Sequence, residues 1–181
     1  GGMVALQFAT TWPERLAGLI LSDTSAAYDH PEYDDKYRNR EAGIDAQADI
    51  VDRFGPAELG KRAARDISDP FIADGIRNRY ARMSRDGFLG AAKVRRERPN
   101  LLPVLRERIS VPTLVCIGDE DPVLSACEVM VRELPEARYL RFKETGHGIP
   151  ARRPEAYSQE VLQFLADIED DKSIAGKRTV G

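Results

Sequence analysis

The chain has 181 residues, of which 42% are apolar and 31% charged, and its formal net charge is −3. This length and composition are typical of a one-domain globular protein, and the acidic balance argues against nucleic acid as a partner. No apolar run is long enough to cross a bilayer and the first residues lack the pattern of a signal peptide. We therefore expect a cytoplasmic protein without a membrane partner.

Cysteine and histidine are scarce, which limits metal and redox chemistry. Cys116 lies in an apolar run and Cys127 in a helical pattern, so both are predicted to be reduced, buried thiols rather than a disulfide. The two histidines, His30 and His147, form no ligand spacing with these cysteines. The sequence therefore predicts no metal site.

The first segment, residues 1–24, is predicted to be part of an α/β core. Apolar residues at helical spacing over residues 3–10 indicate a short helix. The nearly continuous apolar run over residues 16–23 is typical of a strand that is buried on both faces of a parallel sheet. Such a strand requires helices on both sides.

The second segment, residues 25–108, has a different character, because its charged residues alternate in sign and helix start signals recur. We expect four to six short helices and no strand here. Asp69 immediately before Pro70 is a favourable helix cap. This segment is predicted to be a separate helical layer.

The third segment, residues 109–168, returns to strand and helix alternation, and residues 169–181 are predicted to be a disordered tail. Residues 111–118 and 137–142 are predicted to be strands, and residues 124–134 and 154–168 are predicted to be helices. A right-handed crossover makes the two strands parallel, so their carboxyl ends share one edge of the sheet.

Two loops at this edge carry candidate catalytic residues. The sequence "GDEDP" after the first of these strands supplies Asp119, Glu120 and Asp121, and "GHG" after the second supplies His147. Loops leaving adjacent parallel strands start about 5 Å apart, so an acid can meet the histidine. A histidine oriented by a carboxylate is the general base of nucleophilic catalysis.

These motifs, in this order, resemble the carboxyl-terminal portion of an α/β-hydrolase. The opening "GGMVALQFA" resembles the end of a G-x-S-x-G nucleophile elbow, with Gly1 as its last glycine. The resemblance assigns the triad acid to Asp121 and the base to His147. Asp23 follows the earlier strand, where some relatives carry the acid, and is the less favoured alternative. No serine within the chain has the flanking glycines of an elbow, so we expect the nucleophile to precede Gly1.

The resemblance implies a partial α/β-hydrolase fold: the last three parallel strands with flanking helices, and a helical cap over residues 25–108. The implied complete enzyme cleaves a small ester or lactone without metal or organic cofactor. The chain alone is predicted to be inactive, and to need the missing amino-terminal part of the fold. Two alternatives stay open: a non-catalytic binding module, and haloperoxidase, dehalogenase or carbon–carbon hydrolase chemistry on the same fold.

Overall fold

The computed structural model describes residues 1–181, and its centre is a four-stranded sheet in the order β1-β2-β3-β4. The strands are Leu19–Ser22, Thr113–Gly118, Arg138–Phe142 and Gly176–Val180. All three pairings are parallel, with Leu19 opposite Thr113, Leu114 opposite Arg138, and Arg138 opposite Gly176. Consequently the loops after β1, β2 and β3 leave the same edge of the sheet.

The chain also contains nine helices. The nine helices, α1 to α9, are Gly2–Thr11, Asp35–Phe54, Pro56–Ala63, Pro70–Ala81, Arg85–Glu97, Leu102–Arg108, Leu124–Arg132, Ile149–Arg152 and Pro154–Glu169. A short 3-10 turn, Pro13–Arg15, precedes β1. No helix combines the length and the apolar character that crossing a membrane requires.

Strand β2 is buried along its whole length because two apolar clusters cover its two faces. Val115 and Ile117 pack in one cluster with residues of α1 and α7, whereas Leu114 and Cys116 pack in the other with Phe164 of α9. The alternation follows from the two-residue repeat of a strand. Cys116 and Cys127 are both buried and free, as expected from the sequence.

The chain divides into two units, which we name the core unit (Gly1–Tyr37 and Pro99–Gly181) and the helical unit (Arg38–Arg98). The core unit contains the sheet, α1 and α6 to α9. The helical unit is shorter than the predicted 25–108 segment, since residues 25–37 and 99–108 belong to the core unit.

The helical unit contains α3, α4, α5 and most of α2. Asp69 caps α4 as predicted, because its carboxylate accepts hydrogen bonds from the backbone N–H groups of Phe71 and Ile72. Within this unit Arg95 is buried and forms ion pairs with Glu41 and Asp45.

The tail differs from the sequence-based prediction. Residues 169–181 were expected to be disordered and the sheet to contain three strands, but β4 forms a fourth strand beside β3. Its residues are mostly exposed, so the sequence has little apolar pattern there. Backbone pairing with β3 and an ion pair between Arg178 and Glu160 of α9 hold it instead.

Candidate active site

Asp121 and His147 meet at the carboxyl edge of the sheet. The imidazole Nδ1 of His147 lies 3.0 Å from Oδ2 and 3.2 Å from Oδ1 of Asp121. The Asp121 side chain is fully buried, whereas 45% of the His147 side chain is exposed. The arrangement thus pairs a protected carboxylate with an accessible imidazole.

Backbone contacts hold the acid loop and the histidine loop together. The N–H of Asp119 donates to the carbonyl of Phe142, and the N–H of Glu120 donates to the carbonyl of Thr145. Gly118 permits this approach, since a Cβ there would lie 1.9 Å from the Thr145 carbonyl oxygen. The distance between acid and histidine is therefore set by the backbone as well as by the side chains.

Asp121 is held as an ionised carboxylate. Burial by itself raises its pKa, but hydrogen bonds from His147 and from the Val123 backbone N–H outweigh burial, and the pKa lies below its usual value. A negative charge at this position favours the imidazolium form of the histidine that faces it.

The backbone at and after His147 is held by a glycine conformation and by a hydrogen bond from Arg152. Gly148 has φ +96°, a left-handed conformation that favours glycine, and α8 begins at the next residue. Arg152 of α8 donates from Nε to the backbone carbonyl of His147 at 2.9 Å. These contacts restrict the direction in which the His147 side chain leaves the backbone.

Asp23 reaches the same loop from the end of β1. Its Oδ2 accepts hydrogen bonds from the backbone N–H groups of Gly148 at 3.1 Å and Ile149 at 3.0 Å. Burial, with the neighbouring Asp121 carboxylate, raises the pKa of Asp23 to about 6. Of the two acids weighed from the sequence, Asp121 makes the hydrogen bonds to Nδ1, and Asp23 binds the backbone that follows.

Sequence reasoning missed these supporting contacts of Asp23, Gly118 and Thr145. The only local signal was the glycine at the end of "VPTLVCIG", which marks a close backbone approach without naming the neighbour. Asp23 is separated in sequence from its two partners, Gly148 and Ile149, by 125 and 126 positions, so no spacing rule could predict these hydrogen bonds.

Asp23, Asp121 and His147 also offer ligand atoms within 4.8 Å of one another, an arrangement that could hold a metal ion. However, Asp121 and His147 already bond to each other, and Asp23 Oδ2 accepts two amides. These ligand atoms are therefore already engaged in hydrogen bonds.

The serines nearest to these loops in sequence make other contacts. Ser22 hydrogen-bonds the hydroxyl of Tyr157 at 2.9 Å, and Ser125 accepts from the backbone N–H of Asp34 at 3.1 Å. Ser125 lies inside α7, whose cap position is occupied by Val123.

Comparisons with known proteins agree with this fold. No protein-family model matches the chain. A thermophilic esterase from Thermogutta terrifontis is 30% identical, with a TM-score of 0.68 over 92% of this chain and 62% of the esterase. The enol-lactonase from Burkholderia xenovorans LB400 is 22% identical, with a TM-score of 0.65 over 91% of this chain and 62% of the lactonase, a likeness of fold alone.

A rat protein, named as a candidate protein-lysine deacylase, ABHD14B, is 31% identical over 61 residues, which are 34% of this chain and 29% of that protein. The chain therefore spans less than two thirds of each of these relatives. The parallel sheet and these likenesses show that the chain has a partial α/β-hydrolase fold.

Proposed function

We propose that this chain carries the acid and the base of a Ser-His-Asp hydrolase that cleaves a small carboxylic ester or lactone. The observation that carries the proposal is the hydrogen-bonded pair of a buried, ionised Asp121 and a partly exposed His147. The nucleophile of the proposal is a serine in sequence that precedes Gly1. The proposal includes a cytoplasmic location, which the free buried thiols support.

In this mechanism, Nδ1 of His147 is engaged with Asp121, so Nε2 accepts the proton of the serine hydroxyl. The serine oxygen forms a bond to the substrate carbonyl carbon. Collapse of the tetrahedral intermediate breaks the bond to the alcohol, which leaves with the proton from Nε2. An acyl-enzyme and a neutral imidazole result.

Deacylation repeats the same proton path with water. His147 accepts a proton from water while the hydroxyl oxygen bonds to the acyl carbon. The bond between the acyl carbon and the serine oxygen then breaks, and the proton passes from Nε2 to the serine oxygen. The Asp121 carboxylate stabilises the imidazolium in both halves and holds the tautomer with its proton on Nδ1. Ester and water are converted to acid and alcohol without any other reactant.

The names of two relatives support the substrate class. The Thermogutta protein is named as an esterase, and the name of the rat protein describes removal of an acyl group from lysine. Both are acyl transfers, which is the chemistry that the proposed triad performs. A lactone is an intramolecular ester and would follow the same steps.

The test uses the native protein, including the sequence that precedes Gly1. We expect hydrolysis of p-nitrophenyl acetate or butyrate, and covalent labelling of one serine by a fluorophosphonate. His147→Ala should lower kcat by at least about a thousandfold while the circular dichroism spectrum is unchanged. His30→Ala, which removes the other histidine, is the matched control and should keep wild-type kcat.

Each negative result has a defined meaning. A native protein with no serine that reacts, and no turnover of esters or lactones, contradicts the hydrolase and favours the binding module. A nucleophilic aspartate in place of serine favours dehalogenase chemistry. Unchanged kcat in His147→Ala removes His147 from the mechanism.

A further inference from the structure

A backbone hydrogen bond holds Asp23 at the edge of the sheet. Its N–H donates to the carbonyl of Cys116 at 3.0 Å, which continues the pairing of β1 with β2. Its φ of +51° lies in the left-handed region, which is uncommon for a residue with a side chain. Asp23 therefore has an uncommon backbone conformation at the position from which its side chain reaches the histidine loop.

The carboxylate of Asp23 supplies a helix cap that the local sequence lacks. Gly148 precedes α8 and has no side chain with which to cap it. Oδ2 of Asp23 instead accepts the N–H groups of Gly148 and Ile149, the two residues directly after His147. Hydrogen bonds to a carboxylate are stronger than neutral ones, so this contact fixes the backbone beside the imidazole.

The second oxygen of Asp23, Oδ1, is buried and receives no hydrogen bond. The carboxyl group also interacts with that of Asp121, and two carboxylates this close are costly to ionise together. Because the pKa is raised to about 6 at Asp23 and lowered at Asp121, Asp23 is the first of the two carboxylates to bind a proton as the pH falls. Asp121 thereby keeps the charge that faces His147.

We propose that Asp23 is a positioning residue, whose carboxyl group holds the backbone after His147 so that Nδ1 meets Asp121, and that Asp23 is not the acid of the triad. The catalytic consequence rests on the proposed function, whereas the effect on the loop does not. The two are therefore tested by separate measurements.

Three variants of the native protein separate the contributions of Asp23. Asp23→Gly removes the acceptor and accommodates the positive φ without strain. Asp23→Asn keeps an acceptor oxygen for the two amides but carries no charge, and so resembles the protonated residue. Glu144→Gln is the matched control, since it removes an exposed acid from the histidine loop itself.

The loop is measured by hydrogen exchange of the Gly148 and Ile149 amides. We expect exchange at least about tenfold faster in Asp23→Gly, and rates near wild type in Asp23→Asn and Glu144→Gln. Equal exchange in wild type and Asp23→Gly would overturn the inference whether or not the protein is a hydrolase. If Asp23→Gly does not fold, exchange is compared in Asp23→Ala, which also lacks an acceptor, and wild-type rates there would overturn it equally.

Catalysis is measured with a p-nitrophenyl ester. We expect Asp23→Gly to lower kcat by about tenfold to a hundredfold with KM within about threefold, because a small displacement of the base is costly. Asp23→Asn should restore kcat to within about threefold of wild type. If Asp23→Asn instead loses about a thousandfold and Asp121→Asn loses little, Asp23 is the triad acid and the inference fails.

The pH profile supplies a readout that a purely structural role would not move. The titratable groups that face Asp23 are Asp121, His147 and the thiols of Cys116 and Cys127. Burial raises the pKa of both thiols, that of Cys116 to about 12, so neither titrates near neutrality. Asp23→Asn removes a charge that favours the imidazolium, and the acid limb of kcat/KM should move to lower pH. An unmoved limb contradicts the placement of Asp23 beside the pair.

A wild-type protein that hydrolyses no ester, but whose loop amides respond to Asp23→Gly as expected, would refute the proposed function alone. A working esterase whose loop amides ignore Asp23→Gly would refute the positioning role alone.

Discussion

The carbonyl oxygen of Thr145 lies 1.9 Å from where a Cβ on Gly118 would be, closer than any real contact allows. Glycine at the end of β2 is therefore what lets the acid loop and the histidine loop share backbone hydrogen bonds. The geometry of Asp121 and His147 thus depends on a residue that has no side chain.

Gly118→Ala should consequently disrupt both stability and the site. The clash is with backbone atoms, which cannot rotate away, so we expect a loss of about 2–3 kcal/mol in the free energy of unfolding, measured by urea denaturation. Gly90→Ala is the control, because a Cβ there meets nothing within 4 Å on an exposed helix. It should raise stability by about 0.5–1 kcal/mol. Equal behaviour of the two variants would contradict the close approach.

Asp121→Asn should abolish most turnover without unfolding the protein. An amide in place of the carboxylate removes the charge that stabilises the imidazolium and favours the wrong tautomer of His147. We expect kcat for an ester to fall by about a thousandfold to ten-thousandfold, with little change in KM. Glu120→Gln, an exposed acid one residue away, should match wild type. A drop shared by both variants would point to loop damage rather than to loss of the acid.

Asp23 should impose a pH dependence on stability that Asp23→Asn lacks. Its pKa is raised from an ordinary 3.8 to about 6, so between these values the folded state binds the proton and the unfolded state does not. Stability from this group is therefore fully present below about pH 4 and is lost as the pH rises through 6.

Two pKa units correspond to about 3 kcal/mol, which partial exposure of Asp23 reduces to about 1–2 kcal/mol. Asp121 acts in the opposite direction, since its pKa is lowered and its contribution is lost as the pH falls. The measurement is therefore the difference between wild type and Asp23→Asn in urea denaturation at pH 4.5 and 7.5. Between these two pH values wild type should lose about 1–2 kcal/mol of stability relative to Asp23→Asn, and an unchanged difference would refute the raised pKa.

Arg95 should be important for the stability of the helical unit. It is 8% exposed and pairs with Glu41, which is 6% exposed, and with Asp45. Arg95→Leu would leave the buried Glu41 charge with the single partner Arg40, at an expected cost of about 3 kcal/mol measured by thermal or urea unfolding. Arg96→Gln, whose side chain is 48% exposed, should change stability by less than about 0.5 kcal/mol. A similar loss in both variants would contradict the role of burial.

The sequence predicted the elements that follow strong apolar patterns. Strands β2 and β3 lie within their predicted ranges, and α9, predicted over residues 154–168, is observed as Pro154–Glu169. Strand β1 is shorter than predicted, because the chain forms the turn Pro13–Arg15 and reaches the sheet only at Leu19. Strand β4 was missed, since an exposed edge strand held by backbone pairing has no apolar repeat to detect.

By itself the sequence determined the fold class and the two loops that bring Asp121 and His147 to one edge, because side-chain periodicity and parallel topology are encoded locally. Only the tertiary structure decided which acid contacts the imidazole and which holds its backbone. Asp121 and Asp23 both follow buried strands and are chemically identical. Their roles diverge because one meets Nδ1 and the other meets two amides, and such distances arise only once distant segments are packed together.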